Sequence, residues 1–494
     1  MTNSNHTPRW SISWKLIGFR VASIVMGLAV ILLAEGLLRL TGFGQVTDPG
    51  DPFVGFSDEV PLFVLNNDKS RYEIAESRQQ FFQPESFAAI KGEAEYRIFC
   101  LGGSTVQGRP YSIETSFTTW FELNLKAADE SRHWEVINCG GVSYASYRLI
   151  PIMKEALHHS PDLFVVYTGH NEFLEDRSYG NIKHQSAWLQ TIHEKLVGWR
   201  IYNVAHSAFH REPNTQPSAN LPAEVDALLD YQGGLAKYHR DDTWRDGVVR
   251  HYEHNLRRMV RIARQANVPI VFMNPVSNVR DTPPFKVERP TNMSDDDHEA
   301  FLSHWESAKS APWDDLDTKA ALVKKTLGTD SRHAEARFLL AKVYEEQGNI
   351  ESARHEYLLA KDEDVCPLRM LESMHQALRQ VAEQTGTPLI DIRSVFEKDA
   401  EHGIPGDDQL IDHVHPRIEG HQQIARELLN FMISSKRISG KADWETRVQA
   451  LYRANYDSLP NNYFPESQAR LRGLQAWTQG RVTRLRIEQL QDDE

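Results

Sequence analysis

Tyr96-Arg97-Ile98-Phe99-Cys100-Leu101-Gly102-Gly103-Ser104-Thr105 reads as a buried strand that stops in a tight turn, and the fold is read outward from it. The short apolar run suits a β-strand, and the two glycines break it and leave a hydroxyl at the sheet edge. Residues 134–139, 163–168, 269–274 and 388–392 are runs of the same kind. Helical patterns over 117–128, 147–157 and 255–265 lie between them. Strands alternating with helices predict an α/β protein whose parallel sheet is covered on both faces. In such sheets ligands bind beyond the carboxyl ends of the strands.

Three of those strand ends carry polar segments: Gly102 to Thr105, Gly140 to Ser146, and Gly169-His170-Asn171-Glu172. A fourth, Asp412-His413-Val414-His415, sits in a polar loop before an apolar helix. Ser104 alone is a turn or capping serine, because a serine is a poor nucleophile until a base takes its proton. Asp412 and His415, three residues apart in a turn, supply that base and a carboxylate to orient it. Asn171 can donate its side-chain amide to a developing oxyanion, together with the backbone amides of Ser104 and of the loop after the second strand. By itself it is a turn asparagine. Asp412, His413, His415 and His421 are crowded enough for a metal site, yet a metal would leave Ser104 and Asn171 unexplained. No metal or cofactor is therefore expected. A phosphate-binding loop is disfavoured, since no Gly-Lys-Ser/Thr follows and G-x-G-x-x-G is absent.

Gly-Gly-Ser-Thr, a glycine-rich turn, Gly-x-Asn and Asp-x-x-His-Pro together resemble the SGNH hydrolases, also called the GDSL esterase/lipase superfamily. The resemblance spans residues 95 to 290 and 370 to 435, approximately. It implies a flavodoxin-like three-layer fold with a five-stranded parallel sheet in the order 2-1-3-4-5, and metal-independent ester hydrolysis. It further implies Ser104 as nucleophile, His415 as base, Asp412 as its orienter, and an oxyanion hole from Ser104, Asn171 and an amide of the second segment. Three departures stand out. Gly103 and Thr105 replace the aspartate and leucine of a Gly-Asp-Ser-Leu pattern, and Glu172 stands where an aspartate is usual. Aligning Asn138 with the family's asparagine puts Ser143 at the oxyanion position in place of glycine, with Gly140 and Gly141 as alternative donors.

The 494 residues carry a formal net charge of −13 and a sequence pI near 5.9, which leaves no basic surface for nucleic acid. Cys100, Cys139 and Cys366 form no disulfide framework. Residues 21–34 are unbroken apolar or small residues, and with their flanks they suggest a transmembrane anchor over 16–41. A cleaved signal peptide is the alternative. The basic residues before this run place 1–15 in the cytoplasm and make the chain a single-pass membrane protein. Its catalytic part then faces the periplasm or surface of a bacterial cell.

After a linker over 42–94, residues 95–290 and 370–440 are expected to be two parts of one hydrolase-like domain. Between them, 291–369 is a helical insertion with tetratricopeptide (TPR) spacing at Leu340, Ala341, Tyr344, Gly348, Ala353, Tyr357 and Ala360. It reads either as a plain packed hairpin or as a surface for a protein partner. Residues 176–244 are expected to roof the site, and 441–494 to form a charged tail with two helices. The leading expectation is a membrane-anchored serine esterase. Its substrate would be an ester-bearing small molecule, a lipid or an acylated carbohydrate. An O-acetyltransferase acting on polysaccharide and a non-catalytic membrane scaffold are the alternatives.

Overall fold

The computed structural model describes residues 14–41, 61–175, 199–201, 204, 227, 229, 234–441 and 443–478. Most of the expected roof, residues 176–244, lies outside the described residues. The chain divides into two compact units, Met1–Gly50 with His184–Pro217, and Asp51–Lys183 with Ser218–Glu494.

In the first unit, helix α1 (Trp14–Thr41) is 28 residues long. The Glu35 carboxylate pairs with Arg39 at 2.8 Å and accepts the Ile201 N–H at 3.0 Å. Among the described residues no helix is long and apolar enough to cross a membrane. This overturns the transmembrane anchor over 16–41 and, with it, the single-pass membrane protein and the extracytoplasmic placement. The physical reason is length. Between Arg20 and Glu35 only 14 residues, 21–34, are free of charge. At 1.5 Å per residue they cover about 21 Å of the roughly 30 Å hydrocarbon core.

The second unit opens with an antiparallel sheet of β1 (Phe63–Leu65), β2 (Arg71–Ile74) and β3 (Ser86–Ala88). Sequence reading took this stretch for linker, because strands of three or four residues are too short to display an alternation. Phe63, Ile74 and Phe87 are buried in one cluster with Phe99 and Ile137 of the main sheet.

The main sheet has five parallel strands: β4 (Glu95–Gly102), β5 (His133–Gly140), β6 (Leu163–Tyr167), β7 (Ile270–Met273) and β8 (Leu389–Ile390). They lie in the order β5-β4-β6-β7-β8, so by appearance in the chain the order is 2-1-3-4-5. Alternate side chains of each strand feed opposite cores. Phe99, Leu101, Phe164, Val166 and Phe272 pack with helices α4 (Ser146–Ala156) and α5 (Asp242–Gln265). Ile98, Cys100, Val165 and Val271 pack on the other face with α3 (Phe117–Ala128). Short α2 (Ser104–Gln107) precedes α3. Both faces being covered explains why β6 and β7 are apolar throughout.

Between β7 and β8 lie α6 (Asp295–Ser310), α7 (Leu316–Thr329), α8 (Ala334–Glu346), α9 (Ile350–Asp362) and α10 (Glu372–Thr385). Ala341, Ala353 and Ala360 are fully buried where α8 meets α9, with the Phe338 and Tyr357 rings 5.3 Å apart. The same cluster includes Val279 and Ile404, so the hairpin packs onto loops of the sheet domain. After β8 come α11 (Ile392–Asp399), α12 (Ile418–Ser434), α13 (Trp444–Asp457) and α14 (Tyr463–Trp477).

The strand ends are packed without slack. Gly102 is level with Gly140 on one side and Tyr167 on the other. A Cβ on Gly140 would lie 2.1 Å from the backbone nitrogen of Gln107, which cannot swing aside. Gly140→Ala is therefore expected to lose about 2 kcal/mol or more of stability, the upper part of the usual range for overpacking. Urea unfolding checks this, and a midpoint equal to that of the parent protein would refute the close approach.

Candidate active site

Ser104 begins α2, directly after β4 runs out at Gly102 and Gly103. Gly103 has its own reason to lack a side chain. A Cβ there would stand 2.5 Å from Asn171 Nδ2 and 3.5 Å from the Tyr144 carbonyl oxygen. The ends of β4, β5 and β6 thus meet within a few ångströms, bringing Ser104, the 143–144 turn and Asn171 to one place.

Ser104 Oγ lies 2.7 Å from His415 Nε2, and His415 Nδ1 lies 2.6 Å from Asp412 Oδ2. With Nδ1–H donating to the carboxylate, Nε2 is left as the acceptor of the serine proton. Asp412 Oδ1 also accepts the backbone N–H groups of Val414 and His415, both at 2.8 Å. Burial opposes the Asp412 charge, yet the His415 imidazole and these hydrogen bonds hold its carboxyl well below the usual carboxylate range. The loop is closed by a bridge between Leu410 and Pro416 and by Ile411 N–H donating to the His415 carbonyl at 2.9 Å. Asp412 and His415 are buried, whereas Ser104, Ser143 and Asn171 are half-buried and reach the surface.

The second segment discriminates among its three candidate amides. Gly140 N–H donates to Asn138 Oδ1 at 2.9 Å, and Gly141 N–H to the Gly102 carbonyl at 3.0 Å. Val142 N–H donates to Phe81 and Tyr144 N–H to Gly141. Among the described residues nothing accepts from Ser143 N–H. Ser143 adopts φ 63°, the left-handed region that glycine occupies at less cost. Asn171 Nδ2 spends one hydrogen on the Tyr144 carbonyl at 3.1 Å, and the amide has a second to give.

His413 and His421 have partners outside the Ser104–His415–Asp412 series, although His413 Nδ1 stays 3.6 Å from Asp412 Oδ1. Asn278 N–H donates to the His413 backbone carbonyl at 2.9 Å, and the His413 ring meets Phe285 edge-on at 5.3 Å. His421 Nδ1 accepts the Phe117 N–H at 3.2 Å. His170, beside Asn171, accepts the Met370 N–H at 3.2 Å. Sequence reading missed the supporting role of Asn138, which had served only to set an alignment. Its Nδ2 donates to the Val106 carbonyl at 2.7 Å and to Thr118 Oγ1 at 2.8 Å, tying β5 to α2 and α3. An asparagine in the buried second half of the strand, between Ile137 and Cys139, was the available signal.

No family profile and no curated protein matches this sequence. Solved structures that it is similar to include an acetyl xylan esterase, AlAXEase, at 13% identity over 68% of this chain and 100% of that one, with a TM-score of 0.30. A catalytic mutant of Axe2, an acetylxylan esterase from Geobacillus stearothermophilus, matches at 14% identity over 69% and 94%, with a TM-score of 0.31. A protein assigned to the G-D-S-L family, from Desulfitobacterium hafniense DCB-2, matches at 9% identity over 67% and 97%, with a TM-score of 0.29. Likenesses this distant leave the chemistry to the site's own geometry.

Burial pulls the His413 imidazole down to about 4, and those of His170 and His421 to about 3. All three are neutral in the native protein at pH 7, while the unfolded chain takes up protons below about pH 6.5. At these three positions the unfolded state then binds more protons, so the histidines lower stability as pH drops from about 6.5 towards 4, opposed by the raised carboxyls of Glu85, Glu172 and Asp364. Across that window the urea midpoint of His421→Gln is expected to gain on that of the parent as pH drops. An unchanged slope in the variant would remove His421 from the account.

Proposed function

We propose that this protein is a serine esterase that cleaves carboxylic esters through an acyl-enzyme. The observation that supports this reading is the unbroken hydrogen-bonded series from Ser104 through His415 to Asp412. Of the four segments, none has this chemistry alone; the reading depends on their meeting.

Each step falls to a named group. His415 Nε2 takes the Ser104 proton as Oγ attacks the ester carbonyl, and Asp412 stabilises the imidazolium that forms. Charge developing on the carbonyl oxygen is received by the Ser104 and Ser143 N–H groups and by Asn171 Nδ2. The tetrahedral intermediate collapses, His415 returns its proton to the departing alkoxide, and the alcohol leaves. Water then attacks the acyl-serine with His415 again as base, releasing the acid and restoring Ser104. The burial of Asp412 and His415 strengthens their interaction, because little water competes for it.

Ser104→Ala is expected to abolish turnover of p-nitrophenyl acetate and labelling by a fluorophosphonate, a loss of at least about ten-thousandfold. Ester hydrolysis that persists in this variant would defeat the proposed nucleophile.

Asn171→Ala should retain labelling at a reduced rate and lose about a hundredfold to a thousandfold in kcat, the usual cost of one oxyanion donor. Steady-state kinetics on the same ester decides it, and a kcat equal to that of the parent would exclude Asn171 from the oxyanion hole.

A further inference from the structure

Two of the three proposed oxyanion donors, Ser143 N–H and Asn171 Nδ2, come from separate loops, so something must hold those loops at a fixed spacing. Ser143 belongs to the turn that leads into α4, and Asn171 to the loop after β6. A side-chain amide and a backbone amide converge on one oxygen only if those loops keep register to a few tenths of an ångström.

Glu172 spans them. Its Oε1 accepts the Ser146 N–H at 2.8 Å, and its Oε2 accepts the Ser146 hydroxyl, also at 2.8 Å. Ser146 is the first residue of α4, where no side chain of the preceding residue caps the helix. Asn255 of α5 donates to the same hydroxyl at 3.1 Å and fixes its orientation. Three residues on, Glu175 grips the next part of α4. Arg148 Nε and Nη2 each reach its carboxylate at 2.7 Å, and the Tyr147 hydroxyl donates to it as well. Glu172 is only 1% exposed, and burial pushes its carboxyl up to about 7. A buried acid is costly to keep and is retained where its hydrogen bonds do something an apolar residue cannot.

We propose that Glu172 is a positioning residue for acyl transfer: by clamping the start of α4 to the loop after β6, it fixes the Ser143 N–H and the Asn171 amide as a pair. Glu172 itself touches no reacting atom and acts through its immediate neighbour and through Ser146. This rests on the esterase reading above. In Glu172→Gln the side-chain amide can still accept the Ser146 N–H, but the Ser146 hydroxyl, which already accepts from Asn255, must turn from donor to acceptor to meet the glutamine NH2.

The test is a double-mutant cycle on Ser104-dependent ester turnover by the full chain. Glu172→Gln is expected to lower kcat about tenfold or more, part of what deleting a donor costs, with KM within about threefold of the parent. Added to Asn171→Ala, the same change should cost far less, because the partner it positions is already gone. Turnover of the single variant within about twofold of the parent would overturn the proposal. So would an equal loss in both backgrounds, as a merely structural glutamate would give. If Glu172→Gln does not fold, Ser146→Ala, which removes one of the two clamp bonds, takes its place in the cycle under the same criteria. A parent protein whose ester turnover is unaffected by Ser104→Ala would fail the esterase reading itself, an outcome separate from either result for Glu172.

Discussion

Three parallel strands end at the same level, and at that level the backbone has no room for side chains. Gly102, Gly103 and Gly140 are the consequence. Each sits where an added Cβ would meet a neighbour at 2.5 Å or less. This tight meeting lets Asn171 lie against the turn that carries Ser104, and it brings the Tyr144 carbonyl within reach of the same amide. The chemistry at the rim depends on this absence of atoms as much as on the polar groups present.

Around that rim the charges of Asp412, Lys361 and Glu372 are each partnered. The Asp412 carboxylate is satisfied by two backbone N–H groups and one imidazole. The helical insertion is tied to the sheet domain in a similar way. Lys361 Nζ, buried at the end of α9, reaches Glu372 Oε1 at 2.6 Å and the Met370 carbonyl at 2.7 Å. Arg393 completes the set with two 2.8 Å contacts to Glu372. Met370 in turn donates to His170 beside Asn171, so the chain leaving the insertion touches the loop that carries a proposed oxyanion donor.

Much of this architecture is legible in the sequence, because a buried parallel strand is a short, nearly continuous apolar run with few other readings. The run at 96–101 and its partner at 134–139 each fall inside an observed strand. Elsewhere local pattern was too weak. Helix α5 begins at Asp242, well before the expected 255, because Arg, Asp and His residues dilute its apolar face; Trp244, Val248, Tyr252 and Leu256 are buried at helical spacing all the same. The last strand shrinks to two residues at the sheet edge, where Leu389 and Ile390 are only half-buried. At the N-terminus, apolar flanks were added across Arg20 and Glu35, and charge interrupts a hydrocarbon span in a way an average conceals. Within the site, residue types pointed to Ser104, Asp412, His415 and Asn171, but the choice among Gly140, Gly141 and Ser143 required knowing where each amide is spent. In the sequence His413 and His421 are visible only as neighbours crowded with Asp412 and His415, since no local pattern separates a packed imidazole from a ligand.

Ser104 and His415 are separated by 311 positions, with the whole helical insertion between them. A ribosome adding roughly 5 to 20 residues per second would take on the order of 15 to 60 s to travel from one to the other. In the proposed reaction, that interval passes before Ser104 can meet the imidazole that would take its proton. On the proposed esterase reading, Ser104 gains its base only after the closing strand β8 has been synthesised.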